Sequence, residues 1–187
     1  SREISFSQAF MGDMVRHRET TQGILDGLSQ SPVVTIDTGF NEFNFKNIGD
    51  SYLALNPQSS LPENPKPADF YRLLKLAMHA WSEDLLPKDT LEESWGDFKD
   101  RVQRALHVAC NQNSGKPILI VSSGGAISML MSLVLGLDAK QVIELNMQVR
   151  NTSISHFYFN KSNIRLSSFN NIPHLDSLER LNSITFS

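Results

Sequence analysis

One short run, from Pro117 to Ala126, constrains the fold of this chain more than any other stretch. Four apolar residues lead into two serines and two glycines, and a helical pattern of apolar residues then extends to Leu135. A buried strand that turns directly into a helix places backbone N–H groups and the positive end of the helix at one point. The run therefore predicts a strand–turn–helix unit of an α/β protein, with a site for an anion such as phosphate at the turn.

Composition narrows the class of protein. The chain has 187 residues, of which 40% are hydrophobic, and this length favours a single domain over residues 1–187. A net charge of −3 without a basic cluster argues against nucleic acid as a partner. The lone Cys110 excludes a disulfide framework within the chain and a thiolate zinc site. A chain without disulfides is typical of the reducing cytoplasm. No apolar run approaches the roughly 20 residues that span a bilayer, so we expect a soluble cytoplasmic protein without a membrane partner.

Hydrophobic periodicity predicts alternating strands and helices, with Asp13 as the N-cap of the first helix. Residues 38–65 are predicted to form a long irregular segment that carries function or covers a site. The order is typical of a three-layer α/β/α fold with a mostly parallel sheet and an antiparallel C-terminal hairpin. The predicted strands are 9–11, 33–37, 117–121, 154–159 and 164–169, the last two around a turn at 160–163, and the predicted helices are 14–28, 67–81, 91–109, 126–135 and 138–144.

Three separated segments are similar, in order, to those of one protein family. Residues 12–20 resemble its segment with a phosphate-binding arginine, residues 40–45 resemble its Leu-Asn-Glu-Ile-Asp motif, and residues 120–127 resemble its Val-Ser-His-Gly-Gly turn. Segments 151–153 and 171–175 follow at suitable distances. The chain thus resembles the histidine phosphatase superfamily, which has the phosphoglycerate mutase-like fold, and the combined motifs are more specific than any one of them.

The resemblance implies a role for several residues. Arg16 takes the place of the arginine that grips the phosphate, and Glu42 that of the acid that protonates the leaving oxygen. The resemblance further implies metal-independent chemistry without a cofactor, on a small phosphorylated ligand or inorganic phosphate. It also implies that the remaining phosphate-binding groups are Ser123, Gly124, Gly125, Asn151 and His174.

Each of these residues also has a simpler interpretation. Arg16 is equally compatible with an exposed helix residue, and Glu42 with a carboxylate in a loop. Ser123 also suits a helix cap, which is a common use of serine at such a boundary. Asn151 also suits a turn, and His174 a packed or exposed tail residue.

Two departures from the family pattern predict impaired catalysis. The family opens with a central strand that ends in Arg-His-Gly, whose histidine is the nucleophile, and this chain contains no such tripeptide. Ser123 stands in place of the second family histidine, and losing one such donor at the site costs on the order of 2.7–4 kcal/mol of transition-state stabilisation.

The absence of the family's opening strand has a second consequence. It leads us to expect a domain that is incomplete at its N-terminus, with unpaired strand edges that favour a homo-oligomer.

Three alternatives remain open at this stage. The first is an active phosphomonoesterase or mutase whose nucleophile lies in a missing N-terminal segment. The second is a serine hydrolase in which Ser123, Asp138 and His174 act as nucleophile, acid and base. The third is a non-catalytic sensor or scaffold for phosphorylated ligands.

A metal site is not expected, because the other histidines lack the spacing of metal ligands. These histidines are His17, His79, His107 and His156.

Overall fold

The computed structural model describes residues 4–111, 115–160 and 162–186. Strands and helices alternate along most of the chain, and short 3₁₀ turns lie between several of them. The strands are β1 (Gln8–Met11), β2 (Val33–Ile36), β3 (Ile118–Val121), β4 (Ile154–Phe159) and β5 (Ile164–Asn171). The helices are α1 (Val15–Asp26), α2 (Phe45–Leu55), α3 (Pro67–Ser82), α4 (Trp95–Asn111), α5 (Gly124–Leu135) and α6 (Ala139–Asn146).

The first three strands form a parallel sheet in the order β2-β1-β3. Ala9 in the central strand lies opposite Val34 on one side and Leu119 on the other. Parallel strands need crossover connections, which α1 and the helical segments between β2 and β3 supply. The chain leaves all three strands at the same edge of the sheet, so the segments that follow β1, β2 and β3 meet there.

The remaining two strands form a separate antiparallel hairpin, β4-β5. A parallel sheet with an antiparallel C-terminal hairpin was the predicted fold class, and the structure confirms it. The hairpin is not hydrogen-bonded to the sheet in the described ranges, and β3 therefore forms one edge of the three-stranded sheet. The turn expected at 160–163 includes Lys161, which lies outside the described residues.

Helices α3, α4, α5 and α6 bury the main hydrophobic core. Its largest fully buried side chains include Trp81, Phe98 and Met129, and the rings of Trp81 and Phe98 lie 5.6 Å apart. A smaller cluster, in which Phe10 of β1 packs with Phe40, joins the sheet to α4. No helix of the described part of the chain is long and apolar enough to cross a membrane.

The segment predicted to be irregular, 38–65, contains helix α2, and that prediction was wrong in this respect. Asn44 is the N-cap, and its side-chain oxygen accepts a hydrogen bond from the backbone N–H of Asn47. Ile48 on the inner face is buried in the main core. The polar and small residues along the segment concealed a cap followed by an apolar stripe, which is an ordinary helix signal.

Two predicted helix starts also differ from the structure. Met14 occupies the N-cap of α1 instead of Asp13, whose carboxylate accepts a hydrogen bond from the side chain of Asn41. The helix expected at 91–109 begins at Trp95, because the Ser94 side chain accepts the backbone N–H of Asp97 and caps the helix there.

Candidate functional site

The candidate site lies at the edge of the sheet where the segments after β1, β2 and β3 converge. Arg16 and His17 belong to the first turn of α1, directly after β1. Glu42 follows the short turn that comes after β2, and Ser123 is the N-cap residue of α5 after β3. Three segments far apart in the sequence thus contribute side chains to one location.

Two side-chain nitrogen atoms lie within hydrogen-bond distance of the hydroxyl oxygen of Ser123. Arg16 Nε donates a hydrogen bond to Ser123 Oγ over 2.8 Å, and His17 Nε2 lies 2.7 Å from the same oxygen. Ser123 and His17 are buried, whereas Arg16 is exposed. Because Arg16 uses Nε to hold Ser123, the rest of its guanidinium can reach a ligand from solvent.

His17 is the residue of this site that sequence reasoning missed. Its place in a helix pattern without ligand spacing predicts no site role, yet His17 is 2% exposed and contacts the turn after β3. Burial, with the neighbouring Arg16 charge, lowers the pKa of His17 below its ordinary value of 6.5. The sequence signal that was available is its position directly after Arg16. In the structure Gly12, which follows β1, lies against the imidazole of His17.

Glu42 is held from two sides by backbone groups. The N–H of Gly125 donates to Oε2 over 3.0 Å, and the N–H of Phe43 donates to Oε1 over 3.2 Å. Burial raises the pKa of Glu42, and this effect outweighs the two hydrogen bonds, which act in the opposite direction. A carboxyl group whose pKa is raised keeps its proton nearer to neutral pH, as a general acid requires.

Arg101 of α4 fixes the loop that carries Glu42. Its Nε and Nη2 donate to the two carboxylate oxygens of Glu93, each over 2.7 Å. Its Nη1 donates to the carbonyl oxygens of Gly39 and Asn41 over 3.1 and 2.7 Å. The guanidinium also lies over the ring of Phe98, 4.7 Å from its centroid. The loop before Glu42 is therefore tied to α4 by a rigid, planar group.

A cavity of about 640 Å³ opens beside Arg16 and Glu42. Of its three carboxylates, that of Glu93 is neutralised by Arg101 and that of Glu42 has a raised pKa. Glu92 is exposed, so solvent screens its charge. Arg16 is the one cation among the described residues that line the cavity, and its guanidinium offers hydrogen-bond donors to an anionic ligand. The lining residues are Met14, Arg16, Glu42, Phe43, Asn44, Phe45, Glu92 and Glu93.

Asn151 and His174 lie in a different hydrogen-bonded group. Asn151 donates to the side chain of Thr185 over 2.9 Å, and His174 Nε2 lies 2.8 Å from Thr152 Oγ1. No hydrogen bond within the described ranges joins either residue to Arg16 or Ser123.

The serine hydrolase arrangement predicted from sequence order does not form. The side chain of Asp138 accepts the backbone N–H of Gln141 and caps α6, and His174 bonds to Thr152. The imidazole next to Ser123 is that of His17. The prediction failed because sequence order does not reveal which histidine the fold brings to the serine.

The fold and the site define a class of α/β protein in which an arginine, a glutamate and a strand–turn–helix unit meet at one edge of a parallel sheet. A profile of the histidine phosphatase superfamily (branch 1) matches residues 1–172. The chain belongs to this superfamily. No curated protein matches the sequence significantly.

Solved structures share the fold at low sequence identity. A mutant phosphoserine phosphatase from Entamoeba histolytica in complex with phosphoserine aligns with a TM-score of 0.62 and 22% identity, over 91% of this chain and 76% of that one. The α-ribazole phosphatase from Shigella flexneri aligns with a TM-score of 0.59 and 21% identity, over 90% and 75%. Mycobacterial glucosyl-3-phosphoglycerate phosphatase with inorganic phosphate aligns with a TM-score of 0.54 and 20% identity, over 89% and 78%.

Proposed function

We propose that the chain binds a phosphomonoester or inorganic phosphate in the cavity beside Arg16, and that it turns phosphomonoesters over slowly or not at all. Arg16 contacts the phosphate oxygens through the part of its guanidinium that does not bind Ser123. Glu42 is the proton donor for any leaving group. Two structural neighbours support this ligand class. One is the mutant phosphoserine phosphatase in complex with phosphoserine, and the other is the glucosyl-3-phosphoglycerate phosphatase in complex with inorganic phosphate.

The observation that carries the proposal is the position of Arg16 at the cavity. Its Nε is fixed by Ser123, and the side chain is otherwise exposed beside the opening. A guanidinium held at one nitrogen presents its Nη groups in a defined plane, which suits bidentate contact with phosphate oxygens.

Slow turnover is part of the proposal because the hydroxyl of Ser123 brings no positive charge to the phosphoryl group. The neighbouring imidazole of His17 is buried, and its lowered pKa favours the uncharged form. A neutral hydroxyl donor stabilises developing negative charge less than a cation does.

Hydrolysis of p-nitrophenyl phosphate, measured beside a calorimetric titration with inorganic phosphate, tests the proposal. We expect inorganic phosphate to bind the unmodified chain while hydrolysis stays far below the ordinary enzyme range of roughly 1–10³ per second. A Ser123→His variant adds an ionisable group to the site, and Ser123→Ala is its matched control. Hydrolysis by the unmodified chain at ordinary rates would contradict impairment, and a lack of phosphate binding would contradict the whole proposal.

A second candidate is an active phosphatase in which a further strand completes the sheet. Two observations together favour it. No hydrogen bonds join the β2-β1-β3 sheet to the hairpin in the described ranges, and yet Ile120 of β3 and Phe157 of β4 pack against the same core. A strand that added to β3 in parallel would end beside Ser123, because parallel strands share their carboxyl-terminal edge. A histidine at that end would then face Arg16.

The second candidate predicts a gain of activity on addition of upstream coding sequence. A chain extended in this way is assayed with p-nitrophenyl phosphate, next to the same chain with each added histidine replaced by glutamine. Activity that depends on an added histidine supports this candidate. An extended chain that is as inactive as the original one contradicts it.

A further inference from the structure

Ser123 combines three features that a purely structural serine does not need. It occupies the N-cap position of α5, yet its side chain makes no capping hydrogen bond to that helix. Its Oγ instead lies between Arg16 Nε at 2.8 Å and His17 Nε2 at 2.7 Å. The usual reason for serine at a helix start is therefore absent, and the hydroxyl is directed to a base and a cation.

The donor directions around Ser123 Oγ follow from the chemistry of its partners. The guanidinium of Arg16 has donors and no acceptor, so Ser123 Oγ accepts a hydrogen bond from Arg16 Nε. When His17 is neutral and unprotonated at Nε2, that nitrogen accepts the Oγ proton. Ser123 thus has a proton acceptor on one side and a stabiliser of negative charge on the other, as an activated serine requires.

We propose that Ser123 is a nucleophile toward phosphorus electrophiles, with His17 as its general base. A bond forms between Oγ and phosphorus, and the bond from phosphorus to the leaving group breaks with its electron pair on that group. The Oγ proton passes to His17 Nε2. Arg16 stabilises the negative charge that develops on Oγ and on the phosphoryl oxygens. The inference rests on the proposed function, because it uses the same anion site at Arg16.

The product of this step is a phosphorylated or phosphonylated serine that persists. In fast serine hydrolases a carboxylate accepts a hydrogen bond from the second nitrogen of the histidine base and so orients the base. Replacing that carboxylate lowers the rate by about 10⁴-fold. Among the described residues, no carboxylate accepts a hydrogen bond from His17 Nδ1. The pair therefore captures an activated electrophile once and releases it slowly, which agrees with the slow turnover proposed above.

Covalent labelling of the full chain with a fluorophosphonate probe tests this inference. Phosphorus binds to Oγ, the P–F bond breaks, fluoride leaves, and the proton goes to His17. We expect peptide mass spectrometry to find the adduct on Ser123, and Ser123→Ala to abolish it. Ser122→Ala is the matched control, because Ser122 Oγ donates to the carbonyl oxygen of Phe40 and takes no part in the step; labelling should persist in it.

The role of His17 has its own variant. His17→Gln should slow labelling of Ser123 by about 100-fold or more, which is the scale of general-base catalysis. Circular dichroism and phosphate binding by calorimetry report whether this variant is folded. If His17→Gln does not fold, the rate of labelling of the unmodified chain is compared with that of a serine-containing peptide of the same local sequence. An equal rate in the peptide overturns the inference.

The outcomes separate the two proposals. An unlabelled Ser123 in a chain that binds inorganic phosphate overturns the nucleophile and leaves the phosphate site standing. Equal labelling rates in the unmodified chain and in a folded His17→Gln variant overturn the role of His17. Labelling of Ser123 without any phosphate binding supports the nucleophile and contradicts the phosphate site at Arg16.

Discussion

The backbone N–H of Gly125 donates a hydrogen bond to Glu42 Oε2 over 3.0 Å, across 83 positions of sequence. This contact sets the distance between the loop after β2 and the first turn of α5. A Cβ added at Gly125 would overlap the Glu42 carboxylate and the ring of Phe43. The residue is therefore glycine because the site requires close approach of the backbone.

Gly125→Ala is expected to lower the free energy of unfolding by about 1–3 kcal/mol, the usual cost of overpacking a buried position. Urea unfolding followed by circular dichroism measures this change. Gly23→Ala is the control, because Gly23 lies in α1 with nothing within 4 Å of the added Cβ. It should stabilise the protein by about 0.4–1 kcal/mol. Equal effects of the two substitutions would contradict the close approach at Gly125.

The raised pKa of Glu42 predicts a specific pH dependence of stability. Because the folded state disfavours the ionised form, the contribution of Glu42 is fully present below its ordinary pKa of 4.5. This contribution is lost as the pH rises through the folded-state pKa. We therefore expect Glu42→Gln to gain stability relative to the unmodified chain as the pH rises above 4.5. Urea unfolding at a series of pH values measures the difference, and a difference that stays constant contradicts the raised pKa.

His17 predicts the opposite dependence on pH. Its lowered pKa means that the folded state binds the proton less well than the unfolded state. The contribution of His17 to stability is fully present above its ordinary pKa of 6.5 and is lost as the pH falls through the lower folded-state value.

His17→Gln should therefore remove part of the loss of stability that occurs as the pH falls below 6.5. Thermal unfolding measured from pH 7 down to about pH 5 follows this loss of stability. His107→Gln, at an exposed position of α4, is the matched control. An unchanged pH profile in a folded His17→Gln variant would show that the imidazole is not desolvated.

Arg101 predicts that the loop before Glu42 depends on a planar cation. Arg101→Lys keeps the charge but cannot maintain both bonds to Glu93 and both bonds to the carbonyl oxygens of Gly39 and Asn41. We expect a loss of about 1.5–3 kcal/mol in stability, because hydrogen bonds to a charged group are removed. Amide hydrogen exchange at 38–42 should accelerate locally. Arg104→Lys, which is exposed on the same helix, is the control and should change neither quantity.

Sequence patterns were sufficient for the fold class and for the convergence of three segments. The apolar strands before Gly12, Asp37 and Ser122 are short and parallel, and their carboxyl ends meet at one edge for reasons of topology alone. Arg16, Glu42 and Ser123 therefore belong to one region, although their individual roles stay predictions.

The contacts within the site could not be derived from the sequence. The pairing of His17 with Ser123 joins residues 106 positions apart and depends on the tight approach of α1 to Gly12. The role of Arg101 depends on backbone carbonyl groups, which carry no residue-specific pattern. The hydrogen bonds of Asn151 to Thr185 and of His174 to Thr152 likewise depend on how the C-terminal residues pack, and the proposed phosphate-binding roles of both residues stay predictions.

Calorimetric titration with inorganic phosphate tests the central claim most directly. We expect the unmodified chain to bind phosphate, Arg16→Gln to lose at least about tenfold in affinity, which corresponds to about 1.4 kcal/mol, and Arg18→Gln to bind as the unmodified chain does. Arg18 is the matched control because it lies on the same helix, is exposed and does not line the cavity. Equal affinities of the Arg16→Gln and Arg18→Gln variants would contradict a phosphate site at Arg16.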